Sequence, residues 1–420
     1  MQKVIYFLLC LLALGGCIEQ DALLPPTNTT VGTQPSVPYE DTEPSTQPEI
    51  VQEKTIEDLV EDGTYMLKRS FGFYQGSVNM AKIQTITFSR IAPSKYDECW
   101  SANLANTNDI VGYRVGLDVI IVGDHIYANN NCTHMFAAKN NYGDQLWASV
   151  TEINGLELLN TSYVNKMTNM FFGSKCVELP GIEIWDVSNV IYFDGMFQGN
   201  DNAGDMKLQY LDVSWWNTSS AQSMSHMFYG CGALTYIPVD NWDVANVTTF
   251  SHMFADCFSL QSINLLNWDT SSVISFDCFL NDCKSLVVVD VSGLETSTCT
   301  QFSQMFEACV NLQYIIGLNT WDVSSASNYA FSEMFHGCYS LAALDIGGWQ
   351  ARPDNTSRMF KNCLSLTMLD MSGFDMTNVS SVVEMFMGCS QLTEVIGMDT
   401  WNLEDINGHD SMYIGTSLVQ

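Results

Sequence analysis

Apolar positions between residues 231 and 268 recur at two superimposed spacings. Leu260, Ile263 and Leu265 carry the run Leu-x-x-Ile-x-Leu, with Ser262 and Asn264 as polar positions between them. That alternation predicts a half-buried strand with Ile263 and Leu265 inward and Ser262 and Asn264 outward. The whole pattern then returns 26 positions on, Cys231 as Cys257, Leu234 as Leu260, Ile237 as Ile263 and Trp242 as Trp268. A fixed period of about 20–30 residues predicts a repeat solenoid, because one coil cannot bury its apolar face and stacked coils can.

From residue 146 to 420 the same marks keep returning. Met-Phe occurs at 135–136, 170–171, 196–197, 227–228, 253–254, 305–306, 334–335, 359–360 and 385–386, and Cys278-Phe279 reads as the same slot. Three residues after most of these phenylalanines stands a cysteine: Cys231, Cys257, Cys309, Cys338, Cys363 and Cys389, with Cys283 fitting after one inserted residue. A second mark is Trp-Asp at 185–186, 242–243, 268–269 and 321–322. Apart from Met135-Phe136, residues 55–145 show no repeat. There Ile83–Phe88 alternates as a strand, and 118–127 reads as an apolar strand followed by a turn, so this block is expected to be a small α+β cap on the stack.

The repeat resembles that of the BspA-like leucine-rich-repeat proteins of microbial surfaces, roughly M-F-x-x-C-x-x-L-x-x-L-D-L-S-x-W-D-T-S-x-V. Residues 366–379 and 260–273 follow it almost position for position, and 100–128 is similar to that family's N-terminal cap. The resemblance implies leucine-rich-repeat-like coils of about 26 residues with a parallel β-sheet face. It also implies surface display, adhesion and protein–protein contact rather than catalysis. Residues 349–354 lack the Asp-x-Ser/Thr, and 199–207 carry an insertion, so these coils are expected to bulge.

Candidate chemistry follows from the columns that stacking creates. Tyr236, Ser262, Val288, Tyr314 and Met368, with Asp290, Ile316 and Asp370 beside them, fall on the outward side, where folding requires no apolar residue, and are the ligand-face candidates. The cysteine column reads as buried free thiols, because identical positions on parallel coils aim their β-carbons the same way. Cys99 and Cys132 form the disulfide candidate, as both lie in the cap. Asp186, Asp243, Asp269, Asp322 and Asp375 read as Asx-turns rather than calcium ligands, since they lack Gly-rich Asp-x-Asp spacing. His134, His226 and His252 precede Met-Phe periodically, which favours packing over metal binding. No nucleophile–base pair, phosphate loop, metal set or cofactor motif stands out.

Charge and the first residues add location. The 420-residue chain has a net charge of −31, which argues against nucleic acid or anionic lipid headgroups as partners. Lys3 and an apolar run to Leu14 read as a signal peptide over 1–16, and Leu14-Gly15-Gly16-Cys17 resembles the lipobox of prokaryotic lipoproteins, making Cys17 the lipidation candidate. Residues 17–54, rich in Pro, Thr and Ser, read as a disordered stalk. Asn28, Asn131, Asn160, Asn217, Asn246, Asn355 and Asn378 match the glycosylation pattern. The expectation is an exported, non-catalytic, lipid-anchored surface protein whose solenoid binds an extracellular protein or glycan. The alternatives are an architectural envelope spacer without a ligand and, less supported, a hydrolase using the cap.

Overall fold

The computed structural model describes residues 54–69, 72–199, 206–403 and 406–418. The leader over 1–16, Cys17, the stalk as far as residue 53 and Asn28 lie outside the described residues. Lys54–Gln420 form one compact unit that opens with helix α1 (Ile56–Glu61). The Thr55 hydroxyl accepts the Asp58 N–H at 3.2 Å, and the Asp58 carboxylate accepts the Thr55 N–H at 2.9 Å. This reciprocal cap satisfies two donors that the first helical turn leaves open.

A five-stranded sheet follows, in the order β2 (Glu98–Ser101), β3 (Val111–Val115), β4 (Asp118–Val122), β1 (Thr85–Ser89) and β6 (Glu152–Asn154). β1 is parallel to β4 and β6, whereas β3 is antiparallel to β2 and β4. The alternation over 83–88 places Ile86 and Phe88 in the core and leaves Thr87 half-exposed. β6 lies beyond residue 145, so the sheet runs through the boundary expected between cap and repeats. β5 (Ile126–Tyr127) crosses it as well, pairing in parallel with β7 (Leu159–Asn160).

The repeats are joined along the Met-Phe segments. In one coil, Phe250, His252, Phe254 and Asp256 donate their N–H groups to Ser275, Asp277, Phe279 and Asn281 of the next. The residues that follow the last three, Met253, Ala255 and Cys257, donate three positions back within their own coil. The alternation needs a backbone reversal every fourth residue. His252 and Asp256 supply it with φ of 58° and 59°, and the same two slots are left-handed at Cys278 and Asp282, Gln304 and Ala308, and Arg358 and Asn362. Parallel bridges connect these segments from Asn131 through Lys166, Tyr192, Ser223, Thr249 and Ser275 to Gln301, and again from Asn355 through Ser381 to Asn407.

Side chains at equal phase stack inside. Phe171, Phe197, Phe228 and Phe254 follow one another at 5.5 Å between ring centres, tilted by no more than 8°. Phe306, Phe335, Phe360 and Phe386 continue at 5.7, 5.6 and 5.7 Å. The coil between the two runs corrects the alignment drawn from Cys278-Phe279. Cys278 occupies the left-handed slot, Phe279 the methionine slot and Leu280 the phenylalanine slot, so Cys283 follows Leu280 by three with no insertion. Cys309 confirms the phase by donating to the Leu280 carbonyl, where neighbouring coils use a phenylalanine carbonyl.

The expected sheet face needs correction too. Ile263 and Leu265 are buried and Ser262 and Asn264 exposed, as the alternation requires. Among the described residues, strand pairing on that side is confined to β8 (Val288–Asp290) with β9 (Tyr314–Ile316) and β10 (Met368–Asp370) with β11 (Glu394–Ile396). Pro238 offers no N–H to this side, and the coils flanking Ala343 are 29 and 25 residues long, measured between cysteines, rather than 26. The coil lacking Asp-x-Ser/Thr makes a different junction: Ala351 bridges Phe374, and Arg352 lies 3.4 Å from Asp375. Of the expected insertion, 200–205 lie outside the described residues.

Candidate binding face

The ligand-face candidates lie together on the outward side of the Leu-x-x-Leu strands. Val288 stands opposite Tyr314 and Asp290 opposite Ile316; Met368 and Asp370 hold the equivalent places opposite Glu394 and Ile396. Tyr314 is 53% exposed and Met368 50%, and Tyr236, Ser262, Val288 and Ile316 are exposed as well. Val287 adds an exposed aliphatic group that the strand register did not single out. Asp290 and Asp370 are only half-exposed, because each carboxylate turns back to accept the N–H of Ser292 or Ser372 at 3.0 Å. They close the strand and restrain its end, leaving aromatic and aliphatic groups as the open surface. The Tyr236 hydroxyl donates to Asp240 at 3.2 Å, and partial burial with that carboxylate nearby holds its phenol above the usual range.

The internal columns are committed to structure. Cys231, Cys257, Cys283, Cys309, Cys338, Cys363 and Cys389 are all buried and free. Each thiol reaches back to a carbonyl of the preceding coil, from Cys389 to Phe360 at 2.9 Å up to Cys257 to Phe228 at 3.3 Å. Burial pushes most of these thiols far above their ordinary range, Cys309 to about 12. The bridge expected between Cys99 and Cys132 is not formed. Cys132 is buried under its own turn and donates to the Asn129 carbonyl at 3.1 Å, while Cys99 lies exposed on β2 beside Tyr96.

The aspartate column forms the expected turns. Asp186, Asp269, Asp322 and Asp375 accept the N–H of the serine or threonine two residues on, and Asp243 accepts that of Ala245. The hydrogen bonds hold the Asp269, Asp322 and Asp375 carboxyls below their usual range. The residue between was missed. Thr218, Thr270 and Thr296 are buried, and each hydroxyl donates to the acidic residue's carbonyl in the next coil at 2.7–3.0 Å. A buried hydroxyl at fixed phase is a signal the Trp-Asp-Thr spelling already contained. The candidate asparagines serve turns as well. Asn131, Asn160, Asn217 and Asn355 accept an N–H two residues on, Asn246 donates to the Ser219 carbonyl, and Asn378 is exposed.

The histidines owe their period to the left-handed slot, where all three have φ of 58°. His226 and His252 stack at 4.5 Å and 6°, and burial lowers His226 to about 4; the His134 ring contacts the Asn141 amide oxygen at 3.0 Å. Farther along, Glu333 in the same slot comes within 4.8 Å of Glu307 and His336, each one residue before a left-handed position. Their oxygens already have donors. Asn281 and His336 hold Glu307, and Gln304 and Arg358 hold Glu333, with Arg358 also reaching Glu384 at 2.9 Å. A cation here would have to displace Arg358, so the arrangement reads as a polar ladder joining coils.

Matches to the family described as Mycoplasma protein of unknown function, DUF285, cover residues 130–237, 203–317, 230–340, 277–396 and 314–420. The chain belongs to this family. The DUF285 coils are leucine-rich-repeat-like in their own geometry, with a half-buried Leu-x-x-Leu-x-Leu segment and, from Cys231 to Cys389, a buried cysteine beneath the turn. No curated protein matches the sequence. Among solved structures, a leucine-rich repeat protein from Bacteroides ovatus is 18% identical, covering 60% of this chain and 68% of its own, with a TM-score of 0.31. TLR13 in complex with ssRNA13 is 12% identical over 70% of this chain and 46% of its own, at 0.27. The functional domain of InlJ from Listeria monocytogenes, which includes a cysteine ladder, is 12% identical over 60% and 58%, at 0.13.

Proposed function

We propose that this DUF285 chain is a non-catalytic, surface-displayed binding protein. A leucine-rich-repeat solenoid presents the face around Tyr236, Val288, Tyr314, Ile316 and Met368 to an extracellular protein or glycan, and a lipid at Cys17 holds it at the membrane. One observation carries the reading: Tyr314, Ile316, Val288 and Met368 stay exposed while their strand neighbours Val289, Ile315 and Leu369 fill the core. Side chains that folding does not need, mixed aromatic and aliphatic and bordered by acid, have the composition of a binding surface. The BspA-like spelling of the repeat supports adhesion as the outcome. Glycans at the exposed Asn160, Asn217, Asn246 and Asn378 belong to the same extracellular setting. The test is adhesion of the immobilised full chain to host cells and matrix proteins, compared with Tyr236→Asp and Tyr314→Asp variants. Loss of adhesion with an unchanged melting temperature is the expected result. Equal adhesion by all three leaves the architectural spacer as the better account.

A further inference from the structure

The carboxyl ends of the parallel strands β4, β1 and β6 open on one cavity of about 340 Å³. Arg90 follows β1, Asp124 and His125 follow β4, and Glu157 follows β6; Ile184 and Asp186, from the next coil, close the far side. Strand ends of this kind are where open parallel sheets hold ligands, because the loops leaving adjacent strands part there. Gly155 brings the loop after β6 close. Its φ is +74°, and a β-carbon would stand 2.2 Å from the Phe88 carbonyl oxygen, so only glycine lets the backbone lie against the end of β1.

Among the described residues, the Arg90, Asp124 and Glu157 side chains have no hydrogen-bond or ion-pair partner, although both signs of charge line one cavity. His125 is held by its ring contact with Tyr65 at 5.1 Å, one Asp186 oxygen is tied to Ser188, and Ile184 offers an apolar platform that is 65% exposed. Donors and acceptors are thus left uncommitted side by side. A hydroxyl donates and accepts at once, so a hydroxyl-rich ligand engages both without importing charge. The net charge of −31 opposes an anion, and Arg90 opposes a cation. We propose that this cavity binds a short neutral carbohydrate, held by Arg90, Asp124 and Glu157 with an apolar ring face over Ile184.

The experiment is calorimetric titration of the full chain with glucose, galactose, mannose, N-acetylglucosamine and their disaccharides, alongside glucuronic acid and glycine. Saturable binding of a neutral sugar, weakened about tenfold by Glu157→Gln and by Arg90→Gln, is expected, since each removes a charge-assisted hydrogen bond. Both positions are exposed, and Asp124→Asn gives a third independent reading. Tyr314→Asp leaves sugar binding intact, which separates this cavity from the strand face. Tighter binding of glucuronic acid or glycine, unchanged affinity in all three cavity variants, or no heat with any sugar overturns the proposal.

Discussion

Single residues in this chain are chosen by backbone conformation as often as by packing. Left-handed φ values recur at two positions four residues apart, filled by His, Asn, Gln, Glu, Arg, Asp, Cys, Ala and Gly in different coils. The composition looks arbitrary because the slot selects a conformation and leaves the side chain free to face solvent or a neighbour. Alanine gains nothing there, having no side-chain group to bond locally. Ala308→Gly, at φ of 56°, is expected to stabilise the chain by about 1 kcal/mol, read as a higher urea midpoint with unchanged slope. The cysteines make a second residue-scale prediction. Of those between 54 and 420, Cys99 reacts with a thiol-specific reagent in the native chain, and the seven ladder thiols react only after denaturant is added. Rapid native reaction at the ladder would contradict their burial.

At the scale of one coil against the next, stability rests on groups that reach across the boundary. The indole N–H of Trp268 donates to the Val239 carbonyl at 2.9 Å, and Trp185, Trp216, Trp242, Trp321 and Trp349 do the same in their coils. Trp401 is the exception, its indole nitrogen buried without a partner among the described residues. Trp268→Phe is therefore expected to cost about 1 kcal/mol by removing the indole hydrogen bond, the Val239 carbonyl keeping the Trp242 N–H at 3.2 Å, whereas Trp401→Phe costs little. Matched denaturant melts of the two variants check the contrast. Coil length also sets tolerance to deletion. Removing residues 258–283 joins equal phases and should leave a chain that unfolds cooperatively, while removing 258–270 joins opposite phases and should abolish the near-ultraviolet circular dichroism signal.

For the whole molecule, acidity is the informative variable. Burial, with the neighbouring His252 second, lowers His226 from an ordinary 6.5 to about 4, and burial lowers His252 as well. The unfolded chain takes up protons in that window that the folded chain refuses. Stability from this pair is thus complete above pH 6.5 and is lost as pH falls toward 4. Asp256 and Asp277, raised by burial, act in the opposite sense. Comparison with a His226→Asn, His252→Asn variant isolates the imidazoles. Its urea midpoint should change less between pH 7 and pH 4.5 than that of the parent chain. The period, the buried columns and the outward placement of Tyr314 and Met368 were readable in the residues, because a fixed spacing forces equal side chains into equal environments. The phase of the Cys278 coil, the restriction of strand pairing to two places and the cavity at Arg90 and Glu157 were not. Each depends on where the backbone reverses and on which distant strand ends meet, and those contacts exist only once the coils and the mixed sheet have packed together.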